Sequence, residues 1–291
     1  MDVNTLFGVK ASRIPLASPP LYTPANTIQG KVVLVTGGGK GIGRMISTGF
    51  VANGAKVYIS SRNASDCDTA ARELNELASK AKSGGSAISI PADLSKLEEC
   101  QRLASEISSK ESKLHVLVHN SGVTWGAPFD TTPDSAWTKL LTLNLQRVFT
   151  LTQLLTPLME KAAAREVDVI VDPARLIHIG SIDALRVPIL NNFAYSASKA
   201  GLHHLARHLA MELGPRGITS NTLACGPFPS KMLAPVMRDF GDALKEESPL
   251  GRIGTPGDVA GACLFLASNA GSFVNGATIA LDGGISLKAK M

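Results

Sequence analysis

Cysteine is scarce here: Cys67, Cys100, Cys225 and Cys263 are the four in 291 residues, and they lie far apart. None forms a Cys-x-x-Cys pair or a Cys/His set at metal-ligand spacing, which argues against a disulfide framework and against a zinc module. No apolar run is long and uninterrupted enough to span a membrane. The N-terminus lacks a basic segment followed by an apolar one, as a secretory signal would have. A cytoplasmic protein with reduced thiols and no membrane contact is therefore expected. Aromatic residues make up 5% of the chain, and the formal charge of +5 comes without a dense Lys/Arg run or an aromatic-basic ladder. A nucleic-acid partner is accordingly not expected, and a mildly basic protein that binds phosphorylated ligands is the simpler account.

What the chain does have is an alternation of short β-branched runs with helical patterns. Residues 1–29 carry Pro15, Pro19, Pro20 and Pro24 with little periodicity and read as an N-terminal extension. Lys31 to Thr36 is a buried strand running straight into Gly37-Gly38-Gly39-Lys40-Gly41-Ile42-Gly43, and a helical pattern follows from Arg44. Strand, glycine turn and helix make the setting for phosphate binding at a helix N-terminus. The spacing is Gly37-x-x-x-Gly41-x-Gly43 rather than the strict dinucleotide fingerprint.

A second strand ends at Ser60 and is followed by Ser61 and Arg62, where a carboxylate would otherwise hold the adenosine ribose. An arginine there suits a 2′-phosphate, and Lys40 can add a second positive charge, so NADP(H) is expected over NAD(H). Further strands end at Asp93-Leu94, at Asn120-Ser121-Gly122, at Gly180-Ser181 and at Cys225-Gly226. Asp93 reads either as a partner for the adenine amino group or as a helix N-cap. Residues 133–161 read as one helix with Asn144 inside an apolar stretch, unfavourable unless its side chain bonds something specific. Residues 162–174 are charged and irregular and read as an exposed loop. Seven strands alternating with helices imply a doubly wound parallel sheet flanked by helices, with ligands at the strands' carboxyl ends.

Tyr195 and Lys199 stand four apart on a long helical pattern reaching Leu213, so both face one way. An ammonium beside a phenol favours the phenolate, which would prepare the tyrosine for proton transfer. His204 and His208 also stand four apart, but no third ligand accompanies them, so no metal site is expected.

Thr36-Gly37-x-x-x-Gly41-x-Gly43, Asp93, Asn120-Ser121-Gly122, Asn144, Ser181 and Tyr195-x-x-x-Lys199 together resemble the short-chain dehydrogenases/reductases, over roughly residues 30–284. Within that family the neighbourhood of Gly226-Pro227-Phe228-Pro229-Ser230 looks most like 3-oxoacyl carrier-protein reductase members, the rhamnolipid-pathway type included. The resemblance implies a single Rossmann-fold catalytic domain over residues 30–291, with 226–257 as the substrate lid. It also implies reduction of a ketone to a secondary alcohol with NADPH, on a 3-oxoacyl or polyketide-type carbonyl. A polyol or steroid dehydrogenase and a non-catalytic NADPH-binding scaffold are the alternatives.

On this resemblance Tyr195 is the general acid, Lys199 lowers its pKa and binds the nicotinamide ribose, Ser181 holds the carbonyl, and Asn144 holds a water of a proton relay. Gly37, Gly39, Lys40, Gly41, Ile42, Gly43, Ser61, Arg62, Asp93, Leu94, Asn120, Gly122 and Gly226 are the cofactor-binding candidates, with Tyr195 and Lys199. Trp125, Ile182, Asp183, Phe193, Phe228 and Met232 are the candidate pocket walls. A homotetramer, or a dimer, is expected. His119 replaces the family's usual asparagine and Cys225 its usual proline, so the walls beside the nicotinamide are altered.

Overall fold

The structure is a computed structural model that describes residues 28–166, 169–188, 190–230 and 245–288. The β-branched run after Lys31 forms β1 (Val32–Thr36), buried at every position. It pairs in parallel with β2 (Lys56–Ser60) on one side and β4 (Val116–His119) on the other. With β3 (Ser86–Ser89), β7 (Ala174–Ile179), β8 (Ile218–Cys225) and β9 (Thr278–Leu281), these make a seven-stranded parallel sheet of order β3-β2-β1-β4-β7-β8-β9. Order reverses between β1 and β4, the place where open α/β sheets leave a crevice for ligands.

Helices cover both faces, so the central strands are apolar on both sides. On one face α1 (Gly41–Ala52), α2 (Ala64–Ala81) and α7 (Pro256–Ala267) pack on Val33, Val35, Val57, Ile59 and Ile177. On the other, α3 (Leu97–Lys110), α5 (Arg147–Glu160) and α6 (Phe193–Leu213) pack on Leu34, Leu117 and Leu176, and α4 (Asp134–Leu141) precedes α5. The odd and even positions of each strand thus serve different cores, the period-two rule of a sheet.

Three differences from the sequence reading concern local structure. The single helix expected over residues 133–161 is two helices joined by a π turn, Thr142–Gln146, in which the Arg147 amide donates to the Thr142 carbonyl. Asn144 sits in that turn. The exposed loop expected over residues 162–174 contains a hairpin, β5 (Ala164–Glu166) against β6 (Val169–Asp172). Its anchor is Asp172, which accepts from Lys31 Nζ at 2.9 Å and from Arg175 Nη2 at 2.9 Å. Those two cations also donate to the carbonyls of Leu266, Ala267 and Ser268 at the end of α7, which suits the negative end of a helix. Finally, the helix carrying Tyr195 begins two residues earlier, at Phe193. Residues 1–27 and the stretch 231–244 of the expected lid, Met232 included, lie outside the described residues.

Candidate active site

The carboxyl ends of β1, β4, β7 and β8 and the first two turns of α6 converge on one crevice. At its cofactor end the turn after β1 holds Gly37 at φ +66° and Gly41 at φ +51°, conformations that side chains rarely adopt. A Cβ at Gly43 would run into the Gly37 carbonyl and Asn120 Nδ2. Lys40 is the N-cap of α1 and its side chain makes no capping bond, nor does any carboxylate occupy the first turn. The first amides of α1 are thus left to meet an anion from outside. Arg62 is exposed, and no ion pair of it occurs among the described residues. Lys40, by contrast, pairs with Asp66, which reduces the second positive charge expected of it. The set fits a phosphorylated dinucleotide.

Several cofactor-binding candidates also make bonds within the protein. Asn120 Nδ2 donates to the carbonyls of Thr36 at 2.9 Å and Gly37 at 3.2 Å. The Thr36 hydroxyl accepts from the amides of Asn120 and Ser121, both at 3.0 Å, and donates to the Val118 carbonyl at 3.2 Å. That satisfies all three of its hydrogen-bonding positions and locks β1 to β4. Ser61 Oγ lies 3.0 Å from Cys67 Sγ. Asp93 Oδ1 accepts from the amide and hydroxyl of Ser95, so this carboxylate shapes the turn before α3. The Leu94 side chain is buried in the core against α3 and α5. Gly226 was expected to let the nicotinamide approach; instead the missing Cβ makes room for Asp282 beyond β9.

The four catalytic candidates do come together. Lys199, 5% exposed, donates to the Ile179 carbonyl at 2.7 Å, and its Nζ stands 5.8 Å from the centre of the Tyr195 ring. Ser181 stands at the end of β7, and its Oγ accepts from the Asp183 amide at 3.1 Å. Asn144, 1% exposed, accepts from the Val123 amide and donates to the Val123 carbonyl, both at 2.9 Å, and donates to Ser198 Oγ at 3.0 Å. Ser198 passes that bond to the Tyr195 carbonyl at 2.7 Å. The mid-helix asparagine is therefore fully used. Gly122 lies between Asn144 and Lys199: a Cβ there would come 3.2 Å from Asn144 Oδ1 and 3.7 Å from Lys199 Nζ.

Sequence reasoning missed His203. It is buried one turn beyond Lys199 and accepts the Ser181 amide on Nε2 at 3.4 Å, tying the end of β7 to the helix of Tyr195. The signal was available, because positions 195, 199 and 203 share one helix face. Burial, then Lys199 and Arg207, push its imidazole down to about 4.

The pocket candidates divide. Trp125 and Phe193 are exposed at the mouth, Trp125 near Lys139 and Phe193 edge-on to Phe129 at 6.0 Å. Ile182 is a buried wall and Asp183 is partly buried beside Ser181. Phe228, 3% exposed, packs into the notch left by Gly254 and lines a cavity with Leu250, Ile253 and Leu281.

Burial governs the charges. It holds the Tyr195 phenol above its ordinary value, with the Ser181 hydrogen bond pulling back and Asp183 and Cys225 adding to the rise. It lowers the Lys199 ammonium to about 8 and raises the Cys225 thiol to about 12. Burial thus sets the direction of the Tyr195 shift in this arrangement, while the Lys199 ammonium is engaged with Ile179. A lysine whose folded pKa is depressed weakens the fold most below that pKa, and the penalty fades as pH rises toward the unfolded value. Without added cofactor, Lys199→Met should raise the urea-unfolding free energy by on the order of 2 kcal/mol below about pH 8, with the gain vanishing above about pH 10.5. A variant less stable than the wild type at pH 7 would contradict this.

Similarities to known proteins follow the same pattern. The family profile described as enoyl-(acyl carrier protein) reductase matches residues 37–286. The rhamnolipids biosynthesis 3-oxoacyl-[acyl-carrier-protein] reductase of Pseudomonas aeruginosa is 39% identical over 267 residues, covering 91% of this chain and 99% of that protein. Trihydroxynaphthalene reductase PfmaI of Pestalotiopsis fici is 32% identical, covering 94% of this chain and 95% of the other. Among solved structures, the Pseudomonas aeruginosa RhlG/NADP active-site complex superposes with a TM-score of 0.83 at 37% identity, over 91% of this chain and 100% of that one. Fold, site and these likenesses agree: the chain belongs to the short-chain dehydrogenase/reductase family of nicotinamide-dependent oxidoreductases.

Proposed function

We propose that the chain reduces an apolar ketone, of 3-oxoacyl or polyketide type, to a secondary alcohol with NADPH. The observation that carries this is the meeting of Ser181, Tyr195 and Lys199: Lys199 Nζ stands 5.8 Å from the centre of the Tyr195 ring, and His203 ties the Ser181 strand end to their helix. The names of the two relatives, a 3-oxoacyl-[acyl-carrier-protein] reductase and a trihydroxynaphthalene reductase, support the substrate class. The NADP complex of the structural neighbour and the exposed Arg62 support the cofactor.

NADPH, when bound, supplies the hydride. The turn after β1 and the start of α1 hold its pyrophosphate, Arg62 its 2′-phosphate, and Lys199 its nicotinamide ribose. Ser181 donates to the substrate carbonyl and to the alkoxide that develops there, the general logic of an oxyanion site. Tyr195 gives the proton. A phenol stays protonated at neutral pH, as a general acid in reduction must be. The phenolate left behind is stabilised by Ser181 and by the nearby ammonium, and Asn144 serves the relay that returns a proton through Lys199. Trp125, Phe129, Leu190 and Phe193 give the mouth an apolar rim, which favours an acyl chain or ring over a polyol.

The assembly proposed is a homotetramer, or a dimer, in which a second copy covers the apolar side chains exposed on α4, α5 and α6: Trp137, Leu141, Phe149 and Met211. Four free, buried thiols support a cytoplasmic location. Residues 30–291 are proposed as the catalytic domain, with 226–257 as its lid.

Tyr195→Phe should lower ketone-dependent NADPH oxidation by about 1,000-fold or more while leaving the NADPH dissociation constant within about threefold. Normal turnover in that variant would refute the mechanism. Arg62→Asp should shift cofactor preference toward NADH, read as the ratio of kcat/KM values; an unchanged ratio removes Arg62 from cofactor choice. Light scattering should report a dimer or tetramer, and a monomer would refute the assembly.

A further inference from the structure

Two residues beyond Ser181, on the short 3-10 turn Ile182–Ala184, a carboxylate stands inside an otherwise apolar mouth. Asp183 is held at both ends. Its amide donates to Ser181 Oγ, and its Oδ2 accepts from Asn192 Nδ2 at 2.9 Å. Asn192 is buried, accepts the Ser196 hydroxyl on Oδ1 at 2.7 Å, and takes the Ser196 amide on its backbone carbonyl at 3.0 Å. The chain Asp183–Asn192–Ser196 thereby grips the helix on either side of Tyr195. Asp183 has one oxygen fixed and one left over. Among the described residues Oδ1 accepts no hydrogen bond, and it is not one of the atoms sealed from solvent. Arg186, the nearest cation on the same loop, sends its guanidinium to the Ile285 carbonyl and toward Glu247 instead.

A carboxylate oxygen that is open to solvent and free of a protein partner is available to a donor on a ligand. The Asp183 amide bonds Ser181 Oγ, and the other carboxylate oxygen bonds Asn192, whose Oδ1 holds Ser196 next to Tyr195, so the carboxylate lies beside the two residues that meet the substrate carbonyl. Apolar pockets fix orientation with a few such polar groups. A site built to bond a substrate hydroxyl also rejects the analogue lacking it more strongly than an apolar pocket rejects a size change.

We propose that Asp183 is a specificity-determining residue whose free carboxylate oxygen accepts a hydrogen bond from a hydroxyl on the carbon adjacent to the ketone. This rests on the ketone-reductase reading above and narrows it to its polyketide side: neutral, apolar ketones with a neighbouring hydroxyl, which a 3-oxoacyl chain lacks. Anionic ketones are disfavoured by the same carboxylate.

The test uses 2-hydroxyacetophenone and propiophenone, which differ only by a hydroxyl in place of a methyl. Wild-type enzyme should favour the hydroxyketone in kcat/KM by about 10- to 100-fold. In Asp183→Asn, whose side-chain carbonyl can keep the Asn192 bond while an NH2 faces the mouth, the ratio should fall to about threefold or less. Asp183→Ala should do the same. A purely structural strut would lower both rates and leave the ratio alone, and that result overturns the proposal, as does a wild type that treats the two ketones equally. Dissociation constants of the same pair for the NADP+-loaded protein read the preference without turnover. Failure to reduce either ketone would count against the reductase reading. The affinity ratio would still decide the role of Asp183: tighter hydroxyketone binding, lost in the variants, supports it, and equal or undetectable binding of both ketones overturns it.

Discussion

An ammonium has been taken out of water at the end of β7, and among the described residues no carboxylate pairs with it. Lys199 instead donates a hydrogen bond to the Ile179 carbonyl. Desolvating a cation costs several kcal/mol, and one backbone acceptor offsets only part of that. The arrangement persists because the surroundings are fixed by other bonds. The π turn aims Asn144 at Val123 and Ser198, Gly122 leaves space between Asn144 and the ammonium, and His203 ties the Ser181 strand end to the same helix. Remove the cation and the fold should tighten; remove it and the chemistry loses its charge. The site holds a destabilising group for function, the pattern expected where local rules are broken without structural gain.

The cofactor end and the reacting end share one scaffold. Thr36 and Asn120 bind the glycine turn to β4, and β4 continues into Gly122 and Val123, which hold Asn144. A change in the turn therefore reaches the proton-handling residues through three peptide units rather than through empty space. On the far side of Tyr195 the Asp183–Asn192–Ser196 chain does the equivalent job, connecting the turn after Ser181 to the start of α6. The phenol is thus gripped from two directions, and its pKa is set by burial more than by any single charge.

Local signals were legible in the residues. Strand, glycine turn and helix can be read from Lys31 to Gly43 because each depends on nearest neighbours, and Tyr195 and Lys199 share a face because helix geometry is universal. Seven parallel strands followed from alternation. What could not be read depended on distant packing. Phe228, read as a pocket wall beside the lid, also packs into the notch at Gly254, a contact that its own neighbourhood does not display. The segment before β7 looked like a loop because its charges hid Val169, Ile170 and Val171, and the hairpin depends on Lys31, more than a hundred residues away. The desolvation acting on the Tyr195 phenol, opposite in direction to the lysine four residues on, is likewise something a sequence does not display.

The central claim is that this crevice moves a hydride to a ketone carbon while Tyr195 supplies the proton. It is tested most directly by incubating the enzyme with NADPH deuterated at the transferring position and an aryl alkyl ketone, then locating the label by mass spectrometry and NMR. The account predicts one deuterium on the carbinol carbon for each NADPH consumed. Alcohol carrying no deuterium there, or NADPH consumed without alcohol, would contradict it.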